Sequence, residues 1–330
     1  MTPLTFACGL YDRMLPLYTG EVRPTGIDLK FLAIESPREI FDRMARKLEF
    51  DACEMSSSEL ISRTGAGQCP FVALPVFPSR VFRHGFICIN REKGIKTPKD
   101  LEGKRVGVPL YTMTAAIWIR GHLQHEYGVD LSKIHWVQGA TNMPGAHGSP
   151  TVLPLLKPVS IENNNSDQSL SQLLETGAID AIAGAELPAS LGTSPKVARL
   201  FPDFREVEKD FYRRTQIFPI MHLVVIRREL YEQQPSIAAS LYDAFCRSRD
   251  SALARMRYLG ALRYMLPWLP ADLDEIDATF GGDPWPYGIE PNRPTLEALV
   301  TYMVEQSLIS RPIPIEELFV PLPVSADGHA

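Results

Sequence analysis

Cysteine is scarce: Cys8, Cys53, Cys69, Cys88 and Cys246 stand at scattered spacings, an odd number with no C-x-x-C pair. That pattern gives no support to a disulfide framework, a zinc ribbon or a redox dithiol, and leaves the role of small buried apolar residue. Long apolar runs are missing too. The longest, around Gly85–Ile89 and Met221–Ile226, are strand-sized and far short of the ~18 residues that span a bilayer. The N-terminus, MTPLTFACGLYDR, has no basic n-region and no continuous apolar h-region before Asp12 and Arg13, so no secretory signal is read there and a cytoplasmic protein is expected. Charge of one sign is lacking, with Lys+Arg 34 against Asp+Glu 39 and a net charge of -5. Such a balance creates no general field for nucleic acid or an anionic membrane surface. There is no G-x-x-x-x-G-K-[ST], no G-x-G-x-x-G after a strand, no H-E-x-x-H and no G-x-S-x-G. Nucleotide, zinc-protease and serine-hydrolase readings lose their usual support.

What is there is an ordinary globular composition, 45% hydrophobic and 22% charged over 330 residues. At that length about two domains are expected. Short β-branched stretches alternate with helical patterns, which predicts an α/β fold. Phe6–Gly9 reads as a first strand with a helix opening near Asp12, and Ile27–Ile34 as a second strand. Ser36-Pro37-Arg38-Glu39 then supplies an N-cap, Pro at N1 and Glu at N3, so a helix is expected from Pro37 to Lys47. Phe50–Met55 reads as a strand, with Ser56, Ser57 and Ser58 opening a helix at its carboxyl edge, where ligands of open α/β sheets bind. Lys104–Val108 is a strand and Thr112–Glu126 a long helix whose start suits an anion. Asn163–Ser166 is read as a polar loop and Ala178–Ala183 as a strand. Phe218–Arg227 is an apolar strand, and the chain beyond Pro235 is helical up to a proline-rich tail, Ile309–Val324.

Phe77–Gly85, FPSRVFRHG, reads as a loop with two arginines and a histidine before an apolar strand. Arginine forks match carboxylates, so Arg80 and Arg83 suit a small organic anion, and His84 suits proton transfer near neutral pH. Glu54, at the end of a strand before the serines, is either a hydrogen-bond acceptor or base, or a helix-entry charge. Tyr111, Thr112 and Thr114 open the long helix and suit a carboxylate, or serve as plain N-caps. Ser56 joins them as a ligand contact. Arg120 is read as a lobe or subunit salt bridge. His122 and His125, at i and i+3 beside Glu126, are either a pair of ligands on one helix face or solvated polar residues. His222, flanked by Ile220, Met221 and Leu223, is either a core histidine or a group facing a ligand.

These segments together resemble the 4,5-dihydroxyphthalate decarboxylase family. The resemblance rests on FPSRVFRHG, TPKDLEGKRVGVPLYTMTAAIWIRG at Thr97–Gly121, EYGVD at Glu126–Asp130, FPIMHLVVIRRELY at Phe218–Tyr231 and PWPYGIEPNRPTLEA at Pro284–Ala298. It implies a two-lobed α/β fold of the type-2 periplasmic-binding-protein kind with a ligand cleft between lobes. The first lobe would be residues 1–86 plus 217–330 and the second residues 87–216. The stretch Ala140–Glu162 has no clear match.

The implied reaction is loss of one carboxylate from 4,5-dihydroxyphthalate to give protocatechuate, as in phthalate degradation. The departing carboxylate is para to a phenol, so protonation of its ring carbon gives a dienone-like intermediate that releases carbon dioxide without an organic cofactor. A proton donor, a phenol acceptor and a cationic anchor suffice. Arg80 and Arg83 are the expected anchors, His84 or His222 the donor, and Glu54 the group polarising the phenol. Tyr111, Thr112 and Thr114 would hold the second carboxylate or a catechol oxygen. Three alternatives stay open: a solute-binding protein that captures a small anion without chemistry, a decarboxylase for another hydroxylated aromatic acid, and a divalent metal held by the catechol oxygens with Glu54 or a histidine. A homo-oligomer is expected, with Leu318, Phe319 and Val320 of the tail packing on the same lobe or on another subunit.

Overall fold

A computed structural model describes residues 1–148 and 151–322. The strands run in chain order as β1 (Thr2–Cys8), β2 (Ile27–Ala33), β3 (Ala52–Ser56), β4 (Phe71–Arg80), β5 (Ile87–Asn90), β6 (Arg105–Val108), β7 (His135–Gln138), β8 (Ile161–Asn163), β9 (Ala181–Ala183), β10 (Val197–Arg199) and β11 (Ile220–Arg227). The described residues divide into two compact units: one from residues 1–80, 215–297 and 313 onward, the other from within 81–214 together with 298–312. The sequence expectation had set the divisions at 86/87 and 216/217 and kept 298–312 in the first lobe. The side chains explain why 298–312 joins the second unit. Tyr302 stands edge-on to Trp118 at 5.5 Å, and Gln306 both accepts from Arg120 Nε (2.8 Å) and donates to the Ile117 carbonyl (3.0 Å). Gly121 makes the approach possible: a Cβ there would lie 2.1 Å from the Tyr302 ring.

Among the described residues of the first unit the sheet order is β2-β1-β3-β11-β4. β1 runs parallel to β2 and β3, while β11 returns antiparallel between β3 and β4. The central strands are buried on both faces, as their runs of small and β-branched residues require. Phe6 anchors this core, edge-on to Phe31 and Phe245 at 5.2 and 5.1 Å. Truncating such a ring to alanine costs about 3–5 kcal/mol. The helix Pro37–Lys47 has the bounds the sequence predicts, with the Ser36 hydroxyl accepting from the Glu39 N–H at 3.4 Å and Leu48 ending it at φ 50°.

Phe77–Arg80, expected as a loop, is the end of β4. The reason is position in the sheet: β4 is an edge strand, so Pro75 and Pro78 leave no central ladder bond unmade. Its register with β11 breaks on either side of His222, so the prolines lie in a bulged stretch. The tail also settles on its own unit. Leu318, Phe319 and Val320 are buried, and the Val320 N–H donates to the Ala73 carbonyl at 3.0 Å. Pro323 and Val324 lie outside the described residues.

The second unit orders its strands β10-β5-β9-β6-β7-β8 among the described residues, with β9, β6, β7 and β8 parallel. β8 takes in Asn163, the first residue of the expected polar loop. Cys8, Cys53 and Cys88 are buried, and Cys69 and Cys246 are half-buried. No helix among the described residues is long and apolar enough to cross a membrane.

Candidate active site

In the first unit, strand register brings chemistry together. β11 pairs antiparallel with β3 so that Val224 faces Glu54 and His222 faces Ser56. Residues on one face of a strand alternate, so Glu54, Ser56, His222 and Val224 share a face, and Glu54 is the diagonal neighbour of His222. The two side chains meet: His222 Nδ1 lies 2.6 Å from Glu54 Oε1. The same carboxylate oxygen accepts from the Tyr11 hydroxyl at 2.8 Å. The other oxygen accepts from the Gly9 N–H at 3.2 Å and from Cys8 Sγ at 3.4 Å.

Glu54 is fully buried, and an unpaired carboxylate there would take up a proton. Burial pushes its carboxyl upward, but the charge of His222 and the donors from His222, Tyr11 and Gly9 outweigh it and hold the group below its ordinary value. Burial and the Glu54 charge raise the Tyr11 phenol and the Cys8 thiol, so both keep their protons and donate. Tyr11 is itself fixed. The Arg13 guanidinium lies 4.3 Å from its ring and 4.5 Å from that of Trp285, and Arg13 Nε donates to the Pro78 carbonyl at 2.6 Å. Gly9 leaves room for the phenol, because a Cβ at this position would come within 3.0 Å of the Tyr11 ring.

His222 packs edge-on against Phe41 at 4.9 Å, and its side chain remains 18% exposed. With Nδ1 given to Glu54, Nε2 is the nitrogen left for a ligand or a proton. Ser56 sits opposite it at the carboxyl edge of β3, its Oγ 3.1 Å from Ser58 Oγ at the start of helix Ser57–Gly65. Arg80 ends β4 in register with Ile220. Its guanidinium donates to the Phe218 carbonyl at 2.9 Å and lies 4.6 Å from the Phe218 ring. Glu54, expected to polarise a substrate phenol, accepts through its two oxygens from four groups of this chain: His222, Tyr11, Gly9 and Cys8.

The remaining sequence candidates belong to the second unit. Arg83 is buried, with Nη1 donating to the Ala185 carbonyl at 3.3 Å and its Cζ 4.8 Å from the Phe86 ring; burial lowers its guanidinium to about 10. His84 is buried beside it. Neither of its ring nitrogens has a hydrogen-bond partner among the described residues, and Glu208 Oε1, at 3.9 Å, is too far to serve. The His84 ring stacks on His122 at 5.0 Å and 10°, walled by Phe201 and Phe211. Burial and the charge of Arg214 push His84 down to about 4, so its ring is neutral near pH 7. A neutral imidazole is a poor acid at neutral pH, and of the two expected donors only His222 meets a carboxylate within hydrogen-bond distance.

His122 is buried and His125 is exposed, its Nε2 2.6 Å from Glu305, so the two do not converge as a ligand pair. Tyr111 is a core residue, edge-on to Trp136 at 5.5 Å, with the Arg120 guanidinium 3.7 Å from its ring. Arg120 forms no ion pair among the described residues; Gln306 is its hydrogen-bond partner. Thr112 is half-buried and Thr114 is the buried first residue of helix Thr114–His125, whose N-cap is Met113 rather than either threonine. No group of three or more His, Cys, Asp or Glu side chains among the described residues is placed to hold a metal ion.

Sequence reasoning missed Tyr11, Gly9 and Arg13. Their signal was the CGLYDR turn directly after a parallel strand, since functional groups gather at carboxyl edges.

The family described as NMT1/THI5 like matches residues 81–148. A 4,5-dihydroxyphthalate decarboxylase of Comamonas testosteroni is 38% identical over 96% of this chain and 96% of its own length. A Pseudomonas putida protein of the same name is 40% identical over 64% of this chain and 81% of its length. Among solved structures, the periplasmic aliphatic sulphonate binding protein SsuA of Escherichia coli superposes with a TM-score of 0.53 at 13% identity, over 97% of both chains. A periplasmic sulfonate-binding protein of Methylobacillus flagellatus gives 0.51 at 13% identity, over 97% of this chain and 92% of that one. At such identities the likeness shows the fold alone, that of periplasmic binding proteins.

Proposed function

The chain belongs to the 4,5-dihydroxyphthalate decarboxylase family, and from that premise we propose that it is a carboxy-lyase converting 4,5-dihydroxyphthalate to protocatechuate and carbon dioxide, with His222 as the acid. The observation that carries the assignment of the acid is the 2.6 Å contact between His222 Nδ1 and the buried Glu54 carboxylate. A carboxylate on Nδ1 stabilises the imidazolium and leaves Nε2–H to give its proton.

Electrons of the ring, pushed by the para oxygen, take the Nε2 proton at the carbon bearing the departing carboxylate. The C–C bond then breaks, its pair returns to the ring to restore aromaticity, and carbon dioxide leaves. His222 is left neutral with Nδ1–H still on Glu54, and its solvent-accessible edge recovers a proton from water. Ser56, facing His222 across the strand pair, is the group offered to a ring oxygen, and Arg80 the cation offered to the retained carboxylate. General acid catalysis of this kind is worth roughly 10²–10⁴ in rate.

A protein that only captures an anion needs neither an imidazole seated on a buried carboxylate nor a phenol and thiol donating to the same carboxylate. The sulfonate-binding neighbours share the fold, and fold alone carries no function. The deciding experiment follows carbon dioxide and protocatechuate from 4,5-dihydroxyphthalate with chelator-treated protein, then with divalent metal restored. Turnover by the wild type and its loss in His222→Asn are expected. Saturable binding without turnover under both conditions would overturn the proposal in favour of anion capture.

A further inference from the structure

Residues 284–297, PWPYGIEPNRPTLE, follow helix Leu269–Phe280 in the first unit, and the site described above makes no use of them. Their place is the open side of β4. Ala73, Pro75 and Phe77, alternate residues of that edge strand, accept from Val320, from the Gly288 N–H at 2.8 Å and from the Trp285 indole N–H at 2.8 Å, none of them in a strand of the sheet. Thr295 Oγ1 accepts from the Phe218 N–H, just ahead of β11, at 3.1 Å. The buried Asn292 closes the segment on itself, its amide donating to the Pro286 and Gly288 carbonyls, both at 2.9 Å. The segment therefore holds the end of β4 and the entry to β11, the two places from which Arg80 and Phe218 come.

Trp285 is the middle of a stack of rings and guanidinium groups. The Arg13 guanidinium lies between Tyr11 and Trp285, 4.3 and 4.5 Å from the two rings. Phe218 meets Trp285 edge-on at 5.5 Å, and the Arg80 guanidinium lies 4.6 Å from the Phe218 ring. One end of the stack is thus Tyr11, which donates to Glu54 Oε1, and the other end is Arg80. We propose that Trp285 is a positioning residue: through Arg13 it seats Tyr11 against the Glu54–His222 pair, and through Phe218 it seats Arg80, so one side chain sets the place of the cation relative to the acid. The proposal rests on the reading of His222 as the acid and Arg80 as the cation. An indole suits the task because its face attracts a guanidinium, its ring takes an edge-on neighbour and its N–H fixes it to β4. An aliphatic side chain fills the space and supplies none of the three. Displacing a positioned group by about 1 Å can cost up to about a hundredfold in rate.

Steady-state kinetics and calorimetric binding of 4,5-dihydroxyphthalate test it. Trp285→Leu is expected to raise KM and Kd about tenfold, through Arg80, and to lower kcat about threefold, through Tyr11; Trp285→Phe, which keeps a ring for Arg13 and Phe218, should stay within about twofold of the wild type in both. Combined with Tyr11→Phe, the kcat losses should not multiply, because both run through the one hydrogen bond to Glu54, whereas an independent packing defect would multiply with it. Arg13→Lys, which keeps the charge and loses the flat guanidinium between the rings, gives the same non-multiplying loss if Trp285→Leu fails to fold. Binding without turnover in the wild type would remove the decarboxylase reading alone, and the tenfold weaker Kd of Trp285→Leu would still uphold the stack. Unchanged KM and Kd in Trp285→Leu would overturn the proposal. So would kcat losses that multiply, or a Trp285→Phe as impaired as Trp285→Leu.

Discussion

His222 in the first unit and His84 in the second are the same side chain in opposite circumstances. His222 touches a buried carboxylate through Nδ1 and keeps an edge in water. His84 is sealed against a second imidazole and aromatic rings, its nitrogens without hydrogen-bond partners among the described residues. Desolvation without a partner removes the charge from an imidazole; a carboxylate partner with access to water lets it carry one. Proximity of a histidine to arginines, as in the RVFRH stretch, therefore says little about acid chemistry until the partner of each nitrogen is known.

The largest effect that probes this contrast is on turnover. His222→Asn is expected to lower kcat by about a thousandfold, within the range of general acid catalysis, whereas His84→Phe, which keeps a flat ring against His122, leaves kcat within about threefold. Steady-state kinetics on both variants decide it: an equal collapse in His84→Phe would break the contrast.

Next in size is acid stability. The folded His84 titrates at about 4, below its ordinary 6.5, and burial drives His122 in the same direction. Between those values the unfolded chain binds more protons, so the stabilisation is complete above about pH 6.5 and is lost as pH falls toward 4. At ~1.4 kcal/mol for each pH unit separating the folded from the unfolded titration, this amounts to about 3 kcal/mol for His84 alone. Glu54, held below its ordinary value, loses its contribution only at lower pH; Glu208, raised by burial beside His84, works in the opposite direction within the window and narrows the gap without reversing it. Urea midpoints at pH 7 and pH 4.5 should fall apart in the wild type and draw together in His84→Phe. If the gap is unchanged, the buried imidazoles are not the acid-sensitive groups.

Glu54→Gln sharpens the first unit's side of the contrast. It keeps the shape and removes the charge; if Glu54 acts through His222, as proposed, kcat should fall about a hundredfold while KM hardly moves. A rise in KM at constant kcat would instead make Glu54 a substrate contact.

Local signals in the sequence carried much of this architecture. The helix Pro37–Lys47 was legible because Ser36, Pro37 and Glu39 act on neighbours three residues away. β4 was not, because its prolines are tolerable only at a sheet edge, and edge position is set by where β11 returns, from more than a hundred residues away in the chain. Glu54 and His222 were each singled out, yet their contact spans 168 residues and depends on the β3–β11 register. Arg83 and His84 were singled out for side-chain chemistry that burial alters. Residue type announces a possible reaction; strand register and access to water decide it.

The smallest expected effect tests how finely the carboxylate is set. Tyr11 donates to Oε1, the same oxygen that meets His222, and Cys8, Cys53 and Arg13 are the other titratable or charged neighbours of this group. Tyr11→Phe keeps the ring against Arg13 and removes one of the donors that hold the Glu54 carboxyl below its ordinary value. The carboxylate keeps its contacts to His222, Gly9 and Cys8, so kcat should fall by only about threefold with KM and the urea midpoint hardly moved. Loss of packing alone would lower the unfolding midpoint and leave kcat where it was. A stable Tyr11→Phe with unchanged kcat would reduce Tyr11 to a spacer.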